Sequence, residues 1–304
     1  MEGTQSRLPG RSRARAEATA RPPAYRLAEP GHAARAPRER RGSATGPLAL
    51  EAVRLGRGQF FSHLTAARLW GLPLPDRLRE HGTVHVGVAG PNDTPPRARG
   101  LEGHRLPADA EVLDRGGARV LGPADTWMSI ARWLSVEELV VAGDAIASRS
   151  PRYPRDGALP QVELPALAGR LEACGRRVGA ARLRAALALM TAESTSPLAT
   201  RTRLALRGAR LPEPALRARA VGLDAAPLGV CDLAYPQQRI GIDCIDEERP
   251  APPARRRHER ERAERFEAAG WRLLRVTPGT LEPDPEAFAR TVAELVGSRA
   301  GRRR

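Results

Sequence analysis

The sequence predicts an α/β protein in two parts, and three observations carry that prediction. The chain has 304 residues, 41% of them hydrophobic, enough for one large or two modest cores at roughly 100–200 residues per domain. Segments with apolar residues at helical spacing are interleaved with short runs of strand-like alternation. Towards the C-terminus the order becomes helix, hairpin, helix, strand, helix, which describes a small α/β unit. The boundaries fall at 1–46, an arginine-rich arm; 47–190, a mixed α+β domain; 191–298, the α/β unit; and 299–304, a basic tail.

Residues 1–46 hold ten arginines and four acids, with much Ala, Pro and Gly. Such a segment buries too little apolar surface to offset its ordering entropy, so disorder is expected. Its charge either reflects the arginine-rich composition of the whole chain or marks a nucleic-acid-binding arm.

From Pro47 onward folded elements are expected. Phe60-Phe61 lead into a short helix that Ser62 or Thr65 caps and Gly71 stops. Thr83 to Val88 alternates like a strand. The Pro-, Asn- and Asp-rich stretch from Pro91 to Gly100 is a turn, and a short strand follows around His104-Arg105-Leu106. Pro123 to Leu134 is helical, with Trp127 and Trp133 at core-like spacing. Ser135 and Glu138 form a capping box opening a helix through about Ala147. Pro151 to Pro160 reads as a linker, followed by helices at Leu164 to Cys174 and Val178 to Met190. Ser196 then caps, and Pro197 starts, a helix through Leu206. Leu228 to Tyr235 and Arg239 to Ile245 are strands joined by the short Pro236-Gln237-Gln238 turn, hence an antiparallel hairpin. A charged helix from about Arg255 to Ala269 ends at Gly270. Trp271 to Val276 is a strand with a core Trp271, and Asp284 to Leu295 closes as a helix.

Composition excludes several functions. All 50 basic residues are arginine, against 35 acids, for a net charge of +15. Without lysine there is no Schiff base, P-loop lysine or nuclease lysine, and arginine stays protonated. The three cysteines, Cys174, Cys231 and Cys244, are far apart and form no CxxC pair, which fits a reducing cytoplasm rather than a disulfide scaffold. No apolar run reaches the ~18 residues of a membrane span, and no apolar leader opens the chain. His63, His85 and His104 lack HxH or HExxH spacing, so surface or packing roles are expected of them rather than zinc binding. Cys244 lacks a partnered base and reads as a small buried residue.

Two carboxylates stand out. Asp232 and Asp243 occupy otherwise apolar strands of the hairpin and can reach one edge of the sheet. Unpaired charges there are costly, so a cation must sit among them. It is either an arginine or a hard divalent ion such as Mg²⁺, which activates water and neutralises phosphate during phosphodiester hydrolysis.

Asp232-Leu233-Ala234-Tyr235-Pro236, Arg239-Ile240-Gly241-Ile242-Asp243, Arg257-His258-Glu259 leading to Arg262, and Gly270 to Thr277 resemble an actinobacterial family. Its C-terminal domain is similar to very-short-patch-repair endonucleases of the P-D…(D/E)-x-K nuclease superfamily. Ser196-Pro197 and Leu211-Pro212-Glu213-Pro214 fit the same pattern. The resemblance covers about 194–296. It continues upstream through His63 to Pro73, Val84-His85-Val86 and Gly103-His104-Arg105, which look like the family's abortive-infection antitoxin-like half.

That resemblance implies a restriction-endonuclease-like domain with a small central sheet flanked by helices. It also implies Mg²⁺ on Asp232 and Asp243 as catalytic residues. DNA would be the partner, gripped by Arg255, Arg256, Arg257 and Arg262, with Glu259 supporting. The chain departs from the pattern elsewhere. The helix Glu position falls on Ala199, the Tyr and Asp positions on Cys244 and Ile245, and Glu247-Glu248-Arg249 replaces a trailing His. Asp246 or Glu247 are the acids near enough to substitute for a lost ligand. The expectation is a DNA endonuclease-like protein, impaired or inactive at its site. The alternative is a non-catalytic DNA-binding or regulatory protein of a phage-defence or toxin–antitoxin system. Most of the charge lies at the ends: the arm carries +6 and the four arginines from Arg299 add +4, leaving +5 on the fold.

Overall fold

A computed structural model describes residues 55–79, 83–153, 159–175, 178–246 and 253–301, without the side chains of 253, 255, 300 and 301. These residues belong to one compact unit, Thr45–Arg304. The expected arm at 1–46 lies outside the described residues, as do Glu247 to Arg249 and 302–304.

The first half is built on a five-stranded mixed sheet of order β3-β2-β1-β5-β4. Its strands are β1 (Gln59–Phe61), β2 (Val84–Val88), β3 (Leu101–Arg105), β4 (Val112–Arg115) and β5 (Ala118–Leu121). Strand β2 runs antiparallel to β1 and parallel to β3. Helix α1 (His63–Leu69) lies where a capped helix is expected, but Ser62 gives no side-chain cap; its hydroxyl lies 3.0 Å from Nδ1 of His63. Gly87 is required in β2, because a Cβ there would stand 2.6 Å from the Phe60 ring.

Helices cover this sheet. The Pro123 to Leu134 stretch divides into α3 (Pro123–Ser129) and a 3₁₀ turn at Ile130–Arg132; α2 is the single turn Asp76–Arg79. The Ser135 capping box is present at the start of α4 (Val136–Ala147). Helices α5 (Leu164–Ala173) and α6 (Ala180–Leu187) follow. Trp70 and Trp127 are buried, and each indole N–H finds a carbonyl, that of Leu121 at 2.7 Å and Leu139 at 2.8 Å. Such pairing lets a large aromatic enter a core without an orphaned donor.

The second half holds a four-stranded mixed sheet of order β6-β7-β8-β9, formed by β6 (Ala215–Val221), β7 (Pro227–Tyr235), β8 (Ile240–Cys244) and β9 (Arg272–Val276). The expected hairpin is β7–β8, antiparallel, turned by Pro236–Gln238 with Arg239 left-handed at φ 52°. Strand β9 pairs parallel to β8. One apolar cluster, centred on Leu198, Leu233, Ile242 and Val292, packs α7 (Pro197–Gly208) and α10 (Pro285–Gly301) against the sheet; α9 (Pro278–Leu281) supplies Leu281. A smaller cluster around Cys231, Phe266 and Trp271 receives α8 (Pro253–Ala268). Trp271 is core, as expected. Helix α10 continues past Leu295 and includes Arg299, expected in the tail. Its guanidinium donates to the carbonyls of Gly270 at 2.8 Å and Gln238 at 3.1 Å.

A polar junction joins α4 to α7. Asp144, fully buried, accepts from the Thr191 amide at 2.7 Å and the Thr200 hydroxyl at 2.8 Å, with Arg203 Nη2 at 3.5 Å. Burial raises the Asp144 carboxyl to about 6, against the pull of these donors and Arg203. No described helix is long and apolar enough to cross a membrane.

Candidate functional site

The hairpin and α8 enclose a cavity of about 810 Å³ that Asp232, Asp243, Glu259, Arg256 and Arg262 all line. The register explains the meeting of the two aspartates. The β7–β8 ladder ends at Leu233 opposite Ile242, so the next residue on each strand is an aspartate beyond the last paired position. Asp232 is buried; its Oδ2 accepts the Cys244 amide at 2.8 Å. Arg152 Nη1 lies 2.9 Å from Asp232 Oδ1, an ion pair whose angles make no hydrogen bond.

Asp243 is held differently. Arg262, reaching from α8, bonds both of its oxygens, through Nη1 to Oδ2 and through Nη2 to Oδ1 at 3.4 Å. The same guanidinium donates to the Val230 carbonyl at 2.9 Å and lies 4.7 Å from the Phe266 ring centroid. This fork geometry is one that arginine alone provides. Burial is the larger influence on Asp243 and leaves its carboxyl above the ordinary range despite Arg262. Glu259 pairs with Arg275 of β9.

Two residues at this cavity were not singled out as site residues: Arg152, in the segment expected as a linker, and Arg275 of β9. Asp246, weighed as a substitute ligand, also lines the cavity, as does Arg260 of the charged helix. Arg257 is exposed and is not among the lining residues. The side chain of Arg255 lies outside the described residues. Ala199, at the position of the missing glutamate, is buried in the core. Burial pushes the Cys231 thiol up to about 12 and raises that of Cys244 as well. Cys244 donates to the Thr202 hydroxyl, with Sγ 3.6 Å from Oγ1, so neither thiol is activated as a nucleophile. Burial likewise lifts the Tyr235 phenol to about 12, with its hydroxyl donating to the Pro212 carbonyl at 3.0 Å.

Mg²⁺ needs carboxylate oxygens free to face it, with water completing its shell. Here Asp243 faces a guanidinium with both oxygens, and Asp232 is divided between an amide and Arg152. In this arrangement the donor set does not fit the ion. The positive charge that the two aspartates require is supplied by arginine, the other of the two solutions their positions allow.

The histidines of the first half, expected at the surface or in packing, are packed against one another. His85 is fully buried, His63 is 9% exposed, and both lie against His104 and Trp133. No family model, curated protein or solved structure matches this chain.

Proposed function

We propose that the chain is a non-catalytic DNA-binding protein on a restriction-endonuclease-like scaffold, its catalytic position filled by arginine–carboxylate pairs, and acting in a regulatory role of the phage-defence or toxin–antitoxin kind. The observation that carries this reading is the engagement of both Asp243 oxygens by Arg262, with Arg152 beside Asp232. Catalysis of phosphodiester cleavage depends on charge placed where it develops, and these contacts occupy that place. Arg256 and Arg260 are exposed residues that line the cavity, and guanidinium is well suited to phosphate. The fold's own charge of +5 suits moderate, salt-sensitive binding.

A second reading is metal-dependent phosphodiester hydrolysis. One observation favours it: Asp246 joins Asp232 and Asp243 at the same cavity. It requires Arg152 and Arg262 to leave the acids they hold.

Purified protein incubated with plasmid in Mg²⁺ or Mn²⁺, beside an Asp232→Ala variant, separates the two. We expect binding without nicking, by wild type and variant alike. With three or four phosphate contacts, log K should fall against log salt with a slope of about −3, and Arg256→Ala or Arg260→Ala should each reduce that slope by about 1. Nicking abolished in Asp232→Ala establishes the second reading. Absence of salt-sensitive binding eliminates both.

A further inference from the structure

The first-half sheet places three potential metal ligands in one spot by register alone. Glu102 and His104 are two residues apart on β3, so they project from the same face. In the parallel β2–β3 ladder His85 lies directly opposite Glu102. The result is a compact donor set. His85 Nδ1 and His104 Nε2 are 2.9 Å apart, His85 Nδ1 lies 3.6 Å from Glu102 Oε2, and His104 Nε2 lies 3.8 Å from Glu102 Oε1. Among the described residues this is the set of three His, Cys, Asp or Glu side chains whose ligand atoms all fall within 4.8 Å of one another.

We propose that His85, His104 and Glu102 form a binding site for a divalent first-row transition ion of the Zn²⁺ class. Ligand bonds of about 2.0–2.1 Å in a tetrahedron set donor atoms about 3.4 Å apart, and the three observed separations straddle that spacing. Two imidazoles with one carboxylate suit zinc-class ions and disfavour magnesium or calcium, which take oxygen shells.

The surroundings support the same role. His85 is held at its backbone from both sides: its amide donates to Thr65 Oγ1 at 2.9 Å, and its carbonyl accepts from the Ser62 amide at 3.0 Å. The His63 ring stacks on His104 with centroids 3.7 Å apart, and Trp133 meets His85 edge-on at 5.3 Å. Ligands oriented by such neighbours bind with less reorganisation. The Glu102 side chain is 44% exposed, which gives the ion a route from solvent and leaves the fourth position open to water.

The test uses the full chain, stripped with EDTA and titrated with Co²⁺ alone, then with Zn²⁺ in competition. We expect one equivalent of Co²⁺ with tetrahedral visible bands, displaced by Zn²⁺, and a melting temperature that rises with Zn²⁺ by mass action. Removing a ligand should cost at least the roughly 10–100-fold lost when a supporting partner is removed, so Glu102→Gln and His104→Ala should each weaken Co²⁺ binding by 10-fold or more. His258→Ala, on the exposed surface of α8, should bind as wild type does. Glu102 is half-exposed, so its variant is expected to keep the wild-type circular dichroism, and it decides the matter alone if His104→Ala unfolds. No bound equivalent, unchanged affinity in folded Glu102→Gln, or loss of the equivalent in His258→Ala overturns the proposal.

Discussion

Two clusters of ionisable side chains, one in each half of the molecule, are stabilised by different means. At the cavity of the second half, Asp243 faces both terminal nitrogens of Arg262 and Asp232 lies 2.9 Å from Arg152. At the first-half sheet, two imidazoles and a carboxylate face one another at 2.9–3.8 Å, and the nearest stacked neighbour is a third imidazole. The acids of the cavity thus have their positive charge built into the chain. In the histidine set the two imidazoles share a hydrogen bond with Glu102 beside both, and under the proposal a bound cation would take the place of the shared proton. Convergent acids alone are therefore a poor guide to a metal site; what else reaches them decides.

The largest effect is expected at Arg262. Arg262→Ala leaves Asp243 partly buried without its fork of donors, and breaking such a pair costs about 3 kcal/mol. The urea midpoint should fall accordingly, whereas a midpoint equal to wild type would mean that the pair is not formed in solution.

The junction between the halves should give a smaller, pH-dependent effect. The Asp144 carboxyl is raised to about 6, so the folded state favours its protonated form. Stability from that proton is complete below the ordinary carboxylate range near 4 and is lost as pH rises through about 6. Relative to Asp144→Asn, wild type should lose about 2–3 kcal/mol between pH 4 and pH 7, measured as the difference between their thermal melts. A pH-independent difference would contradict the raised value.

The smallest effect is expected at Arg77, which bonds both Glu138 oxygens at 2.5 and 2.7 Å but is 54% exposed. Solvent screens such a pair, so Arg77→Ala should cost about 0.5 kcal/mol, read from the same denaturation curves. A loss approaching that at Arg262 would remove the distinction between buried and exposed forks.

Elements with strong local chemistry were legible in the sequence. Ser135 with Glu138, Ser196 with Pro197, and Gly270 after the charged helix each mark the ends that the structure has. The β7–β8 hairpin was legible from two apolar runs around a short turn. Strand β6 was not, because Ala215 to Val221 alternates alanine with arginine and lacks the β-branched core residues that announce a strand. The β4–β5 hairpin was missed although Gly116-Gly117, both at positive φ, is a two-residue hairpin signal. At the cavity, Asp232 and Asp243 were found from their apolar strands. Arg262 was singled out too, but for gripping DNA; its pairing with Asp243, and Arg152 altogether, were not, since both arginines arrive through tertiary packing with no fixed spacing from either acid. The histidine set was given a surface or packing role because only the HxH and HExxH spacings within one segment were weighed; Glu102-Gly103-His104 pairs a carboxylate with a histidine, and the third member, His85, comes from the neighbouring strand.

The guanidinium lock on Asp243 has a consequence for alkali tolerance. A lysine in that place would surrender its proton in strong base and release the acid, whereas arginine keeps its charge beyond pH 12. In the second half, buried thiol and phenol groups respond to alkali before that pair does. Cys231 and Tyr235 are both lifted to about 12, so their stabilising neutral forms persist below their ordinary values near 9 and 10 and are lost as pH climbs through 12. The lobe should therefore hold its ion pairs well into caustic conditions, and give way through its core rather than through its charges.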